Sequence, residues 1–312
     1  MRALVVAAWC SGAARALAPF AGPRWFDPAV EFDLEEAVAR DPLAPVLLVL
    51  PGLDGSGITA MTQFAELARE FQVEAMQVPP EDRSSFESLV EFVDRRVAAI
   101  EATTRKVFVL GESMGAGVAL RVARNAEARG APLRGVVVVS PATGWDRSWL
   151  GARRKQLVRL PDSLFGLVLA LSAYQIFDAG QLRNALERTL TREWPPLLAT
   201  KARQDFLLRM LADLPRLLSA PPATVRHRLE EWVEATIDER ARLGDLAQTP
   251  VLVVAGTSDA RVPASEEAAF FQRTLGDRCT VVLVEGAGHA GALDERIDLR
   301  RVMRDWQAAM QI

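Results

Sequence analysis

Ser113 stands in Val-Phe-Val-Leu-Gly-Glu-Ser-Met-Gly-Ala-Gly, residues 107–117, a setting that can turn a hydroxyl into a nucleophile. A serine attacks a carbonyl only when a base takes its proton, a carboxylate orients that base, and N–H donors receive the developing oxyanion. The chain has two histidines, His227 and His289, so an imidazole base has two candidates. His289 follows the apolar run 281–284 and the loop Glu-Gly-Ala-Gly, which puts it at a strand end. His227 lies between Arg226 and Arg228 in a charged stretch and reads as a surface residue. The carboxylate is expected between serine and histidine in chain order, on another strand-end loop. Asp259, in Gly-Thr-Ser-Asp-Ala-Arg-Val-Pro after the apolar run 251–255, fits; Ser265, nearer the next helix, is left to cap it. Asp294, five residues after His289, is the alternative acid.

The oxyanion donors are sought in Leu50-Pro-Gly-Leu-Asp-Gly-Ser-Gly57, a glycine-rich loop behind an apolar run. Its glycines let the backbone turn an N–H toward the pocket, and the Leu53 and Met114 N–H groups are the expected oxyanion hole. The loop lacks the lysine of a phosphate-binding P-loop. Asp54 beside the hole is a candidate to touch substrate or to brace the loop, with bracing preferred.

These residues need a scaffold that brings strand ends together. Apolar runs at Val46–Leu50, 73–78, 106–110, 135–140, 250–255 and 280–284 alternate with helical patterns at 63–70, 85–102, 114–129, 265–275 and 294–310. Short continuous apolar runs separated by amphipathic helices predict an α/β fold, a mostly parallel sheet with helices on both faces. Between Pro141 and Thr249 the strand signal stops and proline-punctuated helical patterns take over. The chain therefore divides into an N-terminal extension (1–40), a core (41–140 and 250–312) and an inserted helical cap (141–249). The apolar stretch 164–176 carries no charge and is too short to span a bilayer. It reads as a cap helix, and Leu164 and Leu167 are candidates for an acyl-chain groove or a peripheral membrane contact, next to the basic run Arg153-Arg154-Lys155.

Bulk composition narrows the chemistry further. A net charge of −3 over 312 residues gives no footprint for nucleic acid. The two cysteines, Cys10 and Cys279, are too few for a disulfide framework and lack metal-ligand spacing, so neither a metal nor another cofactor is expected.

Oxyanion loop, Ser113 elbow, Asp259 and His289, in that chain order, resemble the α/β-hydrolase superfamily. Closer still, Leu50–Gly57, Gly111-Glu-Ser-Met-Gly115, Ser140-Pro-Ala-Thr143, Leu160-Pro-Asp162 and Gly288-His289 resemble the esterase/lipase/thioesterase half of the plastid phytyl ester synthase family. The resemblance implies a catalytic triad acting on a lipid or other acyl ester, through an acyl-serine, with acyl-CoA or acyl-carrier protein as an alternative donor. It also implies acyl transfer to phytol or diacylglycerol as the alternative to hydrolysis. Longer family members continue into an acyltransferase-like domain; this chain ends one helix beyond His289, so the esterase reaction is the expected one. Two further alternatives are a proline-iminopeptidase-like peptidase, with Glu230, Glu231 and Glu234 as amine partners, and a non-catalytic lipid-binding member of the fold. At the N-terminus, a positive start, a short apolar stretch and Ala16-Leu-Ala-Pro-Phe20 resemble the signal junction of plastid-targeted algal proteins, which implies a plastid. An unprocessed arm would instead leave the protein cytoplasmic.

Overall fold

The computed structural model describes residues 22–31, 41, 43–168, 220–294 and 296–312. The expected targeting segment, Cys10 and most of the 164–176 helix lie outside them. Seven strands form one sheet in the order β1-β3-β2-β4-β5-β6-β7. They are β1 (Arg24–Phe26), β2 (Val46–Leu50), β3 (Gln72–Gln77), β4 (Val107–Glu112), β5 (Gly135–Val139), β6 (Val251–Gly256) and β7 (Cys279–Val284). All neighbours pair in parallel except β1, which runs antiparallel to β3 along the edge. That edge strand lies inside the stretch expected to be a separate extension; its three residues are too short a run to register as a pattern.

The apolar runs become strands because both faces of the sheet are covered. In β2, Val46, Leu48 and Leu50 point into one core cluster and Leu47 and Val49 into the other. Helices α1 (Phe86–Glu101) and α2 (Gly115–Ala128) cover the first face; α6 (Leu299–Met310) seals the second with Met303 and Trp306. Ser85 caps α1 by accepting a hydrogen bond from the Ser88 N–H.

Three boundaries differ from the sequence reading. The helix expected over 63–70 is a 3-10 turn, Ile58–Gln63, followed by a single α-turn, Phe64–Leu67. Helix α6 starts at Leu299 rather than 294, because the Asp298 side chain accepts from the Arg301 N–H and sets the start there. Helix α5 (Ala264–Leu275) starts after Pro263 with no side-chain cap, so Ser265 does not cap it.

Between β5 and β6 the chain leaves the sheet. The described part of the outgoing stretch holds helical turns at Ala142–Arg147, Gly151–Arg153 and Arg154–Leu157. The return is one continuous helical rod: α3 (Pro222–Arg228), a π-helical turn (Leu229–Val233) and α4 (Glu234–Ala241).

Candidate active site

Strands β4 and β5 end side by side, and the turn that follows β4 carries Ser113. Its φ is +52°, a left-handed conformation costly for a residue with a Cβ. The neighbours over-determine it. The Ser113 N–H donates to Val139 O at 2.9 Å, and Ser113 O accepts from the Ala142 N–H at 3.0 Å. Ala142 is delivered by a second left-handed residue, Ser140 (φ +46°), which is the structural role of Ser140-Pro-Ala-Thr143. The turn is also tight enough to need glycine. A Cβ on Gly111 would collide with the Gly115 carbonyl, and one on Gly115 would lie 2.6 Å from Pro51 O. Helix α2 then starts at Gly115, so the positive end of its dipole lies beside Ser113.

The other expected partners converge on this serine. His289 Nε2 lies 3.0 Å from Ser113 Oγ, and His289 Nδ1 lies 2.8 Å from Asp259 Oδ2. The Asp259 side chain is fully buried. Its Oδ1 accepts from the Arg261 N–H at 2.7 Å and the Val262 N–H at 3.0 Å. A carboxylate holding two donors on one oxygen offers the other as an acceptor, so the imidazole carries its proton on Nδ1. The Nε2 lone pair is then turned to the serine hydroxyl, the tautomer a general base needs.

Asp294 plays no part in this relay. It is buried and forked to Arg296, Oδ1 to Nε and Oδ2 to Nη2, both at 2.7 Å. His227 is half-buried rather than a surface residue, 3.4 Å from the Ser84 carbonyl. Its neighbour Arg228, read with it as part of a charged stretch, is fully buried.

The oxyanion loop is braced from inside. Asp54 Oδ2 accepts from the Ser56 N–H at 2.9 Å and from the Ser56 hydroxyl. Burial pushes the Asp54 carboxyl up, opposed by the Ser56 bond and the Arg228 charge. Asp54 and Ser113 flank Gly52, where a Cβ would come within 3.4 Å of Asp54 Oδ1 and 3.5 Å of Ser113 Cβ. Among the described residues, neither the Leu53 nor the Met114 N–H has a hydrogen-bond acceptor. Leu164 and Leu167 are both exposed, on the helical turn after Pro161.

Two contributions are invisible along the sequence. Thr143 donates to the buried Glu267 at 2.6 Å, a carboxylate that also takes Arg240 at 3.1 Å and Arg147. Arg228 reaches from the inserted helix to the carbonyls of Leu53 and Asp54. A spacing of four from Arg228 through Trp232 to Thr236 is the one available signal, since it places all three on one helix face. Among the described residues the one cysteine, Cys279, is buried, and burial pushes its thiol up to about 12, which holds it inert.

The serine aminopeptidase S33 family matches residues 80–296. Phytyl ester synthase 1, chloroplastic, from Arabidopsis thaliana is 30% identical over 289 residues, covering 90% of this chain and 39% of the relative's own length. Among solved structures, an esterase from Thermogutta terrifontis superposes with a TM-score of 0.59 at 20% identity, covering 93% of this chain and 94% of the esterase. MenH from S. aureus superposes at 0.61 and 17% identity, covering 94% and 100%.

Proposed function

The chain belongs to the serine aminopeptidase S33 family of α/β-hydrolases, and from that membership we propose that it is a serine esterase acting on lipid-type acyl esters or thioesters. The observation that carries this reading is the continuous relay from Ser113 Oγ through His289 to the buried Asp259.

Ser113 Oγ attacks the acyl carbonyl while its proton passes to His289 Nε2, and Asp259 stabilises the imidazolium through Nδ1–H. The carbonyl oxygen becomes an oxyanion received by the Leu53 and Met114 N–H groups. As the tetrahedral centre collapses, the bond to the alcohol or thiol breaks and His289 returns the proton to that leaving group. An acyl-serine remains. A water, deprotonated by His289, repeats the sequence and releases the fatty acid.

The acyl class is supported by the 30% identity to phytyl ester synthase 1, which spans nearly the whole of this chain. The same likeness favours a second reading, in which a long-chain alcohol such as phytol or a diacylglycerol replaces water and acyl-CoA or acyl-carrier protein supplies the acyl group. That relative's chloroplastic label supports a plastid as the site of action. The peptidase reading is weaker. Both oxygens of Glu234 are engaged by Arg154, which leaves exposed Glu230 and Glu231 as the acidic partners for an amine.

One assay panel tests all three. The wild type should be labelled by a fluorophosphonate and should turn over p-nitrophenyl acyl esters faster than amino-acyl arylamides. Acyl-CoA with phytol reads out transfer. Ser113→Ala should abolish labelling and lower kcat on the order of 10⁶-fold. A folded wild type that neither labels nor hydrolyses any ester overturns the proposal.

A further inference from the structure

The inserted helical rod does more than cover the sheet. Arg228, at the end of α3, has no solvent exposure. Its Nη1 donates to Leu53 O at 3.0 Å and Asp54 O at 2.8 Å, and its Nη2 donates to Pro79 O at 2.5 Å. The guanidinium lies 4.4 Å over the Trp232 ring, whose indole N–H is itself anchored to Ser84 O at 2.7 Å. A buried cation without a carboxylate in its fork is costly, and burial lowers the Arg228 pKa to about 10. Carbonyl dipoles compensate it, two from the oxyanion loop, Leu53 and Asp54, and two from the turn after β3, Pro79 and Asp82.

The loop is thereby fixed one peptide plane after another. Gly52 O accepts from the Gly55 N–H at 3.0 Å, which orients the plane that carries the Leu53 N–H. The next two planes are held through Leu53 O and Asp54 O by Arg228. Gly55 O in turn accepts from the Val78 N–H at 2.8 Å. With these consecutive carbonyls engaged, the turn cannot flip without breaking a hydrogen bond. Flipping is the failure that would remove the Leu53 N–H from the pocket. Gly55 has to lack a side chain here: its φ is +76°, and a Cβ would lie 3.1 Å from Arg228 Nη1.

Two turns along the same rod, Thr236 reaches the other half of the hole. Its hydroxyl lies 3.2 Å from Met114 O and 2.8 Å from Trp232 O, one proton shared between two acceptors. The approach is possible because Gly117 has no side chain; a Cβ there would collide with Thr236.

We propose that Arg228 is the positioning residue of the oxyanion hole, and that the inserted rod, through Arg228 and Thr236, pre-organises both donor segments for catalysis. Arg228 touches neither substrate nor reacting atoms. It acts through Leu53, and the buried positive charge behind the loop reinforces the field that favours an oxyanion. This rests on the esterase reading above, and it assigns to the inserted segment a part in transition-state stabilisation.

The test compares Arg228→Met, Arg228→Lys, Thr236→Val and Thr236→Ser with the wild type and with Arg304→Ala, an exposed control on α6. Each is read by kcat and KM on a p-nitrophenyl ester, by affinity for an acyl trifluoromethyl ketone, and by thermal unfolding. The ketone forms an oxyanion with Ser113, so with the triad intact a change in its affinity at constant KM reports on the hole. Arg228→Met should lower kcat roughly 10²- to 10³-fold, the loss expected of one oxyanion donor, with KM within about threefold. Trifluoromethyl ketone affinity should fall in parallel. Arg228→Lys, with the charge but not the fork, should fall between; Thr236→Val should lose about tenfold and Thr236→Ser recover most of it. If Arg228→Met does not fold, Arg228→Lys and Thr236→Val decide the matter by the same readouts. Folded variants whose kcat and ketone affinity stay within about twofold of wild type, inside the scatter of a surface substitution, overturn the proposal, and so does a KM rise at constant kcat. An inactive wild type would instead be a failure of the esterase reading, seen before any variant is made.

Discussion

The two ends of the inserted segment are built differently. The returning rod docks on the sheet's own helices with its most buried side chains: Arg228, Trp232 and Thr236 are fully buried, and Glu239 nearly so. Glu239 receives Arg121 Nη2 at 2.6 Å and Arg124 Nη2 at 2.5 Å, both from α2, the helix that follows Ser113. The outgoing stretch begins on the core, Ala142 on Ser113 O and Thr143 and Arg147 on the buried Glu267 of α5, and beyond Arg147 it docks instead on the returning rod. Its Trp145, Leu157 and Phe165 form a small cluster with Leu229, Val233 and Val262, separate from the two clusters on the sheet faces. Beyond Arg147 its ion pairs, Arg154 with Glu234 and Asp162 with Arg226, are partly solvated, and Trp149, Leu164 and Leu167 face solvent. An insertion can thus be part scaffold and part attachment, and the attachment begins beyond Arg147.

The sharpest way to break this contrast is to truncate one buried aromatic on each side. Trp232→Ala should cost about 3–5 kcal/mol of global stability, measured by urea unfolding, and should lower kcat because Arg228 loses its ring. Phe165→Ala deletes a comparably buried ring, yet the loss should be local. Hydrogen exchange should speed up in the outgoing stretch while β4, α2 and kcat for a short ester stay as in the wild type. Equal global destabilisation by both would mean that the two ends unfold as one unit.

Ion pairs give a smaller but cleaner contrast. Glu239→Ala leaves Arg121 and Arg124 facing a buried gap and should cost about 3 kcal/mol, toward the low end for breaking a buried pair because both arginines keep some solvent contact. Arg154→Ala should cost no more than about 1 kcal/mol, since its partner Glu234 is 35% exposed. Chemical denaturation of the two variants side by side decides it: a loss at Arg154 as large as that at Glu239 would place the outgoing stretch in the core.

Legibility in the sequence follows the same divide. Val46–Leu50 is readable to the residue because a strand buried on both faces is an unbroken apolar run. Ser113, Asp259 and His289 are readable because each follows such a strand, and strand ends in a parallel sheet meet at one edge. Arg228 is not. Only its spacing of four from Trp232 separates it from Arg226 two residues earlier, which is half-buried and bonded to Leu160 O and Asp162. The difference arises from contacts 149 to 175 residues away, and a buried arginine whose guanidinium donates to backbone carbonyls leaves no residue-type signal at the acceptors. Edge strand β1 escapes for a related reason: three residues pair through backbone groups, which carry no residue-type signal.

The mildest perturbation asks what the exposed apolar side chains of the outgoing stretch are for. Leu164 is 50% exposed and Leu167 57%, so Leu164→Ser and Leu167→Ser should change stability by less than about 0.5 kcal/mol. Side chains that contribute nothing to folding are free to contact a substrate. If they meet an acyl chain, the double variant should raise KM for a dodecanoyl ester several-fold, about the worth of one or two buried methylenes, and leave an acetyl ester unchanged. The ratio of KM values for the two esters is the measurement. A ratio unmoved by the double variant would remove Leu164 and Leu167 from the substrate path, and the attachment portion of the insertion would then have no part in choosing the acyl chain through these side chains.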